Sequence, residues 1–183
     1  MKEIILNSHA KINLSLDILY KREDSYHEIE SVMQEISLSD RILFREQEKG
    51  ITIETNSPQV PRDFHNLVYK VWESMKLYTG IERGLYINIE KNIPVAAGLA
   101  GGSSNAAAAF KAINQLWDVN LPLEELMKLG SSIGADIPFC LMGGTALAKG
   151  IGEDLTPLKA LKGVNILICT PEIEISTAYA YEG

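Results

Sequence analysis

PVAAGLAGGSSNAAAAF, residues 94–110, decides how the rest of this chain is read. Gly98, Gly101 and Gly102 lead into Ser103, Ser104 and Asn105, and a run of alanines follows. Alanine is the strongest helix former, so the glycines are expected in a loop just ahead of a helix N-terminus, with positive φ among them. The first amides of a helix lack partners inside it and carry the positive end of its dipole. Glycine lets a backbone approach an anion closely. Loop and helix together therefore predict a phosphate cradle. It is not a Walker loop, because no lysine precedes Ser103, and Ala100 breaks the G-x-G-x-x-G spacing. The plain alternative is a flexible loop with Ser103 or Ser104 as an ordinary N-cap.

Upstream of the loop the pattern is mainly that of strands. Ala10, Ile12, Leu14, Leu16 and Ile18 alternate with Lys11, Asn13, Ser15 and Asp17, which predicts a half-buried strand over 10–18. A polar turn at 21–25 separates it from strands expected at 26–37, 41–46 and 51–55. Leu67, Val71, Met75 and Tyr78 fall at helical spacing, so 66–78 reads as a helix ending at Gly80. A strand at 85–89 enters the glycine loop, and the helix beyond it is expected to reach about Trp117. Pro122 opens another helix, 145–149 reads as a strand, and 164–169 reads as a buried strand. Helices and strands do not alternate cleanly, which points to an α+β fold, not a doubly wound sheet.

The bulk properties narrow the partners. A chain of 183 residues suits one large domain, and 46% hydrophobic residues can build a substantial core. A net charge of −7 argues against nucleic acid or an anionic membrane as the main partner. It leaves room for a nucleotide, which needs only a local positive site. Cys140 and Cys169 have no CxxC context and read as buried free thiols in a reducing, cytoplasmic setting. The start of the chain lacks the long apolar run of a signal peptide. The longest apolar stretch, 133–148, contains Asp136, Pro138 and glycines, so it cannot span a bilayer as an ordinary helix.

Four further groups of residues could carry chemistry, and each has a bland reading beside it. Lys11 and Asn13 would ordinarily be a solvated strand face. Asp136, two residues before Pro138, is a natural N-cap. Tyr26 and His27 would ordinarily be surface residues. Asn66 and Lys91 read easily as a helix cap and a strand-end charge.

Taken together, these segments resemble one family. PVAAGLAGGSSNAA is similar to the phosphate-loop signature of the GHMP kinase superfamily, which binds ATP without a Walker lysine. Residues 10–14, AKINL, and 134–139, GADIPF, resemble two more of its motifs, and six segments match in family order. The loop variant is closest to the branch that phosphorylates a hydroxyl of a cytidine-diphosphate-linked sugar alcohol in non-mevalonate isoprenoid synthesis. The resemblance implies an α+β fold like domain 2 of ribosomal protein S5, with a left-handed crossover. It implies ATP and Mg2+ as cofactors. Asp136 would be the general base, and Lys11 would lie beside it near the acceptor hydroxyl. A base on the acceptor, neutralised phosphate charge and in-line positioning are what phosphoryl transfer requires.

The remaining roles are implied in the same way. ATP would lie against Pro94, Val95, Ala96, Ala97, Gly98, Leu99, Ala100, Gly101, Gly102, Ser103 and Ser104, with Asn66 and Lys91 bordering the adenine. Ser104 would contact magnesium, and Asn105 would cap the helix. Asn13, Tyr26, His27, Ile151 and Thr177 would meet the acceptor, with Tyr26 and His27 on the cytosine. The family pattern around that pair is DGYHE; this chain has Asp24-Ser25-Tyr26-His27-Glu28. If the family glycine has positive φ, Ser25 strains the turn.

Family members continue into a second, ferredoxin-like domain that this chain lacks. Residues 1–183 are thus expected to form the N-terminal, ATP-binding domain, the last ~20 residues beginning a link onward. Such a chain is expected to be a weak catalyst that self-associates, as in a homodimer, through an uncovered apolar face.

Overall fold

The computed structural model describes residues 2–170. Their organising element is β2 (His27–Gln47), a strand of 21 residues. β1 (Glu3–Lys21) runs antiparallel along one edge of it, from Glu3 opposite Arg45 to Lys21 opposite His27. The other edge is shared. β4 (Gly84–Glu90) pairs antiparallel with residues 41–47, and β5 (Thr145–Lys149) pairs antiparallel with residues 31–34. Between them, among the described residues, 36–40 has no strand neighbour on that edge. β3 (Ile51–Thr55) lies parallel to β4, and β6 (Asp154–Pro157) lies antiparallel to β5. The whole is a six-stranded mixed sheet.

Helices cover one face. α1 (Leu67–Thr79) joins β3 to β4, as a parallel pair requires. The Asn66 side chain accepts from the Val68 amide at its start, and Gly80 ends it in the left-handed conformation, φ 70°, donating to the Lys76 carbonyl. α2 (Gly101–Leu116) lies on β1 and β2, flanked by α1 and α4. Ala106, Ala107, Ala108 and Ala109 are all buried, so over this turn α2 is enclosed on every side and its small residues let neighbours approach closely. α3 (Leu123–Ser131) follows Pro122, with Glu124 and Glu125 in its first turn and Lys128 in its last, each suited to the dipole. α4 (Ile137–Met142) is short and packs against α2 and α3. The main core runs from Ile42, Phe44, Ile87 and Ile89 on the sheet to Phe110, Ile113 and Val71 on the helices.

Several expectations are corrected. The strands expected at 26–37 and 41–46 are one strand, because the polar residues between them sit at the gap in β2's pairing and do not end it. The alternation over 10–18 does not separate inside from outside. Leu14 and Ile18 are exposed, while adjacent Ala10 and Lys11 are both buried. The cause is a set of register shifts between His9 and Lys11, Asn13 and Ser15, and Ile18 and Tyr20, each of which breaks the period of two. Residues 164–169 do not form a strand, and Val164 and Leu167 are exposed. Cys169, read as buried, is exposed with them. β6 had no signal strong enough to be read, since four residues fall below any useful period. Among the described residues no helix is long and apolar enough to cross a membrane.

Phe110 is fully buried at the centre of α2, and truncating it leaves a void in a close-packed layer. Phe110→Ala is expected to lower the unfolding free energy by about 3–5 kcal/mol, read from urea denaturation.

Candidate active site

A cleft of about 740 Å³ is lined by residues 94–103 of the glycine loop, with Asn66, Leu67 and Lys91 beyond them and Lys11, Asn13, Met33 and Asp136 at its other end. The loop is latched to the sheet where β1 changes register: the Lys11 amide donates to the Leu99 carbonyl at 3.1 Å. Leu99, Ile93 and Ala10 form a small buried cluster under that bond.

The glycines do not sit as expected. Gly101 and Gly102 are the first two residues of α2, with ordinary helical backbone, and Ala100 is the N-cap residue at φ 55°. Neither Ser103 nor Ser104 caps the helix, and the cap position makes no side-chain hydrogen bond. Positive φ occurs instead at alternate positions: Ala96 at 58°, Gly98 at 71° and Ala100 at 55°. Alternation of this kind turns successive amides towards one side and makes an anion-binding concavity. Two alanines hold a conformation that costs about 1–3 kcal/mol each in an L-residue, a strain typical of ligand loops. The Ser104 amide makes the first helical bond, to the Ala100 carbonyl at 2.8 Å. The amides of Gly101, Gly102 and Ser103, on the cleft wall, have no intrahelical acceptor.

Gly101 is small for a reason unrelated to phosphate. A Cβ there would lie 2.8 Å from Lys91 Nζ and 3.1 Å from Ile93 Cγ2. At Gly102 the nearest atom would be Leu67 Cδ1 at 3.7 Å, so that position accepts a side chain.

At the other end, Lys11 Nζ is 3.6 Å from Asp136 Oδ1, with the lysine side chain 9% and the aspartate side chain 34% exposed. The lysine is therefore no solvated strand residue. Its ammonium donates to Asn13 Oδ1 at 2.9 Å, Asn13 Nδ2 donates to Ser31 Oγ at 2.6 Å, and Ser31 Oγ donates to the Ser15 carbonyl at 2.7 Å. This chain of bonds fixes the ammonium beside the carboxylate. Asp136 stands at the N-cap position of α4, but its side chain makes no capping bond. The capping alternative is thus set aside, and the carboxylate is turned to Lys11 and the cleft. Cys140, one turn along α4, has its thiol pushed up to about 12, first by burial and then by the Asp136 carboxylate.

Other singled-out residues lie apart from this wall. Tyr26 is 59% exposed, and Ser25 before it has φ 69°, the left-handed turn conformation that a glycine would hold more easily. His27 is partly buried at the start of β2. The same corner holds Ile151, because the Ile29 amide donates to the Gly150 carbonyl at 2.8 Å and the Gly150 amide to Glu28 Oε1 at 3.1 Å. Met33 connects the two regions: it lines the cleft, and its Cε lies 3.5 Å from the Cβ position of Gly152. Thr177 lies outside the described residues.

Two residues near the phosphates differ from expectation. Asn105 does not cap α2. It lies within the helix and donates to Asp40 Oδ2 at 2.8 Å and Ser8 Oγ at 2.7 Å. Ser104, the expected magnesium contact, is buried on α2 and absent from the cleft wall, whereas Ser103 is on it. Among the described residues no three His, Cys, Asp or Glu side chains converge on a metal position. Magnesium carried on a triphosphate needs only one or two protein oxygens. Ser103 stands on that wall with a side-chain oxygen of the kind required. Asp40 went unread because a lone acidic residue between two apolar runs looks like a turn; its only signal was that position.

Residues 66–144 match the family described as GHMP kinases N terminal domain. The chain is 52% identical over 183 residues to the 4-diphosphocytidyl-2-C-methyl-D-erythritol kinase of Alkaliphilus oremlandii (strain OhILAs), covering 99% of this chain and 63% of that one. It is 49% identical over 185 residues to the protein of the same name from Clostridioides difficile (strain 630), covering 100% and 62%. A crystal structure of 4-(cytidine 5'-diphospho)-2C-methyl-D-erythritol kinase superposes with a TM-score of 0.72 at 35% identity, over 85% of this chain and 55% of that one. The mevalonate kinase of Methanococcus jannaschii shares the fold, with a TM-score of 0.66 at 18% identity over 87% and 56%. The chain thus spans a little under two thirds of the length of these curated relatives.

The two thiols should separate by reactivity. Only a thiolate attacks a disulfide reagent, and a group titrating at about 12 is almost wholly protonated at pH 8. Cys169 is expected to react with Ellman's reagent in the native protein, and Cys140 only after unfolding.

Proposed function

We propose that this chain, whose residues 66–144 match the GHMP kinases N terminal domain, forms the ATP-binding and catalytic wall of a kinase acting on 4-diphosphocytidyl-2-C-methyl-D-erythritol. The observation that carries the reading is the Lys11–Asp136 pair at one end of the cleft whose other end is the glycine loop. The loop amides and the α2 N-terminus bind the triphosphate. Asn66 and Lys91 border the base. Asp136 accepts the proton of the attacking hydroxyl, and Lys11 stabilises the charge developing on that oxygen. Ser103, on the cleft wall, would hold magnesium carried on the nucleotide, and the ion would supply charge neutralisation on the phosphates. Tyr26, His27 and Ile151, reached from the cleft past Met33, receive the cytidine end, and Asn13 holds the reacting end.

The names of relatives at about half identity over nearly the whole chain support this acceptor above others. Mevalonate kinase shares the fold alone. The deciding experiment is ADP release with the cytidine-diphosphate-linked alcohol, homoserine and mevalonate as acceptors. It is run on this chain and on a version at the relatives' length. Release with mevalonate in preference would keep the kinase and reject the acceptor. Nucleotide binding by calorimetry with no release from either version would leave a nucleotide-binding domain without turnover.

Two substitutions probe the two ends of the cleft. Asp136→Asn is expected to lower turnover by about 10²-fold or more with ATP affinity unchanged, and combination with Lys11→Ala is expected to be non-additive. Near-normal turnover would reject the general base. Gly102→Val has room in the fold, so it is expected to keep the unfolding midpoint while weakening ATP binding at least ~10-fold by holding the phosphates away from the amides. Gly101→Val is no substitute, because it strikes Lys91 first.

A further inference from the structure

We propose that Asp40 is a positioning residue for the nucleotide, its carboxylate joining the strand exit, the Lys91 ammonium and helix α2 into one rigid floor beneath the phosphate loop. The proposal rests on the nucleotide-binding reading of the cleft. Asp40 is fully buried, in the part of β2 that neither β4 nor β5 covers. Its Oδ1 accepts from the amides of Asn92 at 2.7 Å and Ile93 at 2.8 Å. Its Oδ2 accepts from Lys91 Nζ at 2.7 Å and Asn105 Nδ2 at 2.8 Å. One carboxylate thus takes four donors from two separate segments of the chain. Lys91 Nζ makes a second bond, to the Ile93 carbonyl at 2.8 Å, and Asn105 makes its second to Ser8.

The arrangement is aimed at the loop. Lys91 Nζ lies so close under Gly101 that a Cβ there would be 2.8 Å away. Ile93, whose amide and carbonyl are both held, packs against Leu99. Asn105 is on the first turns of α2, directly after the residues whose amides face the cleft. The segments on both sides of residues 94–100 are therefore tied to the same carboxylate. A buried ion pair is a poor device for stability alone, since an apolar pair of like volume does as well. Four directional, charge-assisted bonds on a planar group do fix relative position. Lys91 thereby acts chiefly as the counter-ion of this floor. Asparagine cannot replace Asp40, because its amide nitrogen would face the Lys91 or Asn105 donors.

The test compares the unaltered chain with Asp40→Asn, at a temperature where both are folded, by ATP calorimetry and by amide hydrogen exchange. Asp40→Asn is expected to lose ATP affinity at least ~10-fold and to lose exchange protection at the Ser104 amide, and, where turnover is measurable, KM for ATP rises with kcat little changed. ATP affinity within about twofold of the unaltered chain, whatever the loss of stability, would show the carboxylate to be merely structural and overturn the proposal. If the unaltered chain binds no ATP, the cleft reading fails, and the floor is judged by exchange alone: unchanged protection at Ser104 in Asp40→Asn overturns it. Should Asp40→Asn not fold, Asn105→Ala, which removes the tie from α2 to Asp40 together with the bond to Ser8, is measured by the same two readouts beside Ser8→Ala, which removes the Ser8 bond alone; weaker ATP binding than in Ser8→Ala is expected, and binding and exchange equal to those of Ser8→Ala overturn the proposal.

Discussion

The cleft depends on two neighbouring interruptions in the sheet's hydrogen bonding. β2 has two partners on a single edge, β4 at one end and β5 at the other, and 36–40 falls between them. At the same level β1 changes register against it, from His9 opposite Ser39 to Lys11 opposite Glu35. A sheet without that break would bury Ala10 and turn Lys11 away from the interior. With it, both are buried, and the Lys11 amide donates to the Leu99 carbonyl of the glycine loop. The loop lies where it does because the sheet leaves a backbone donor there for it. Lys11 and the glycine loop are both positioned by the register change in β1.

Several costs are concentrated around that break. Ala96 and Ala100 hold left-handed backbone, Lys11 is nearly withdrawn from water, and Asp40 is withdrawn entirely. Each is unfavourable in isolation, and the two buried charges are compensated locally by directed bonds: Asn13 on Lys11, four donors on Asp40. The large core of α1, α2 and β4 carries none of these features and supplies the stability that sustains them. Strain and buried charge set against an ordinary core is the expected division between a ligand site and its scaffold.

Much of the architecture was legible because it is local. α1 runs between Asn66 and Gly80, the two residues that chemistry marks as its cap and its stop. β3 and β5 have the bounds their patterns suggested. Misreadings fall where a neighbour overrides the pattern. Residues 10–18 alternate well, yet register shifts in β1 expose Leu14 and Ile18. Residues 164–169 are apolar, yet no strand pairs with them among the described residues. The helix after the glycines begins at Gly101 and not at the serines, because the left-handed turn at Ala100 starts it and needs no side-chain cap.

By itself, then, the sequence determined the α+β class, the glycine loop ahead of an alanine helix, and the residue types able to carry phosphoryl transfer. Those follow from backbone propensities and side-chain chemistry within a few residues of each other. Only the tertiary structure decided which partner each group has. It turned Asp136 from a cap to a neighbour of Lys11, moved Ser104 off the cleft wall in favour of Ser103, and made Asp40 the common acceptor for residues 51 to 65 positions away. Contacts at that separation depend on strand register and on where pairing stops, and both are set by the summed packing of the whole sheet.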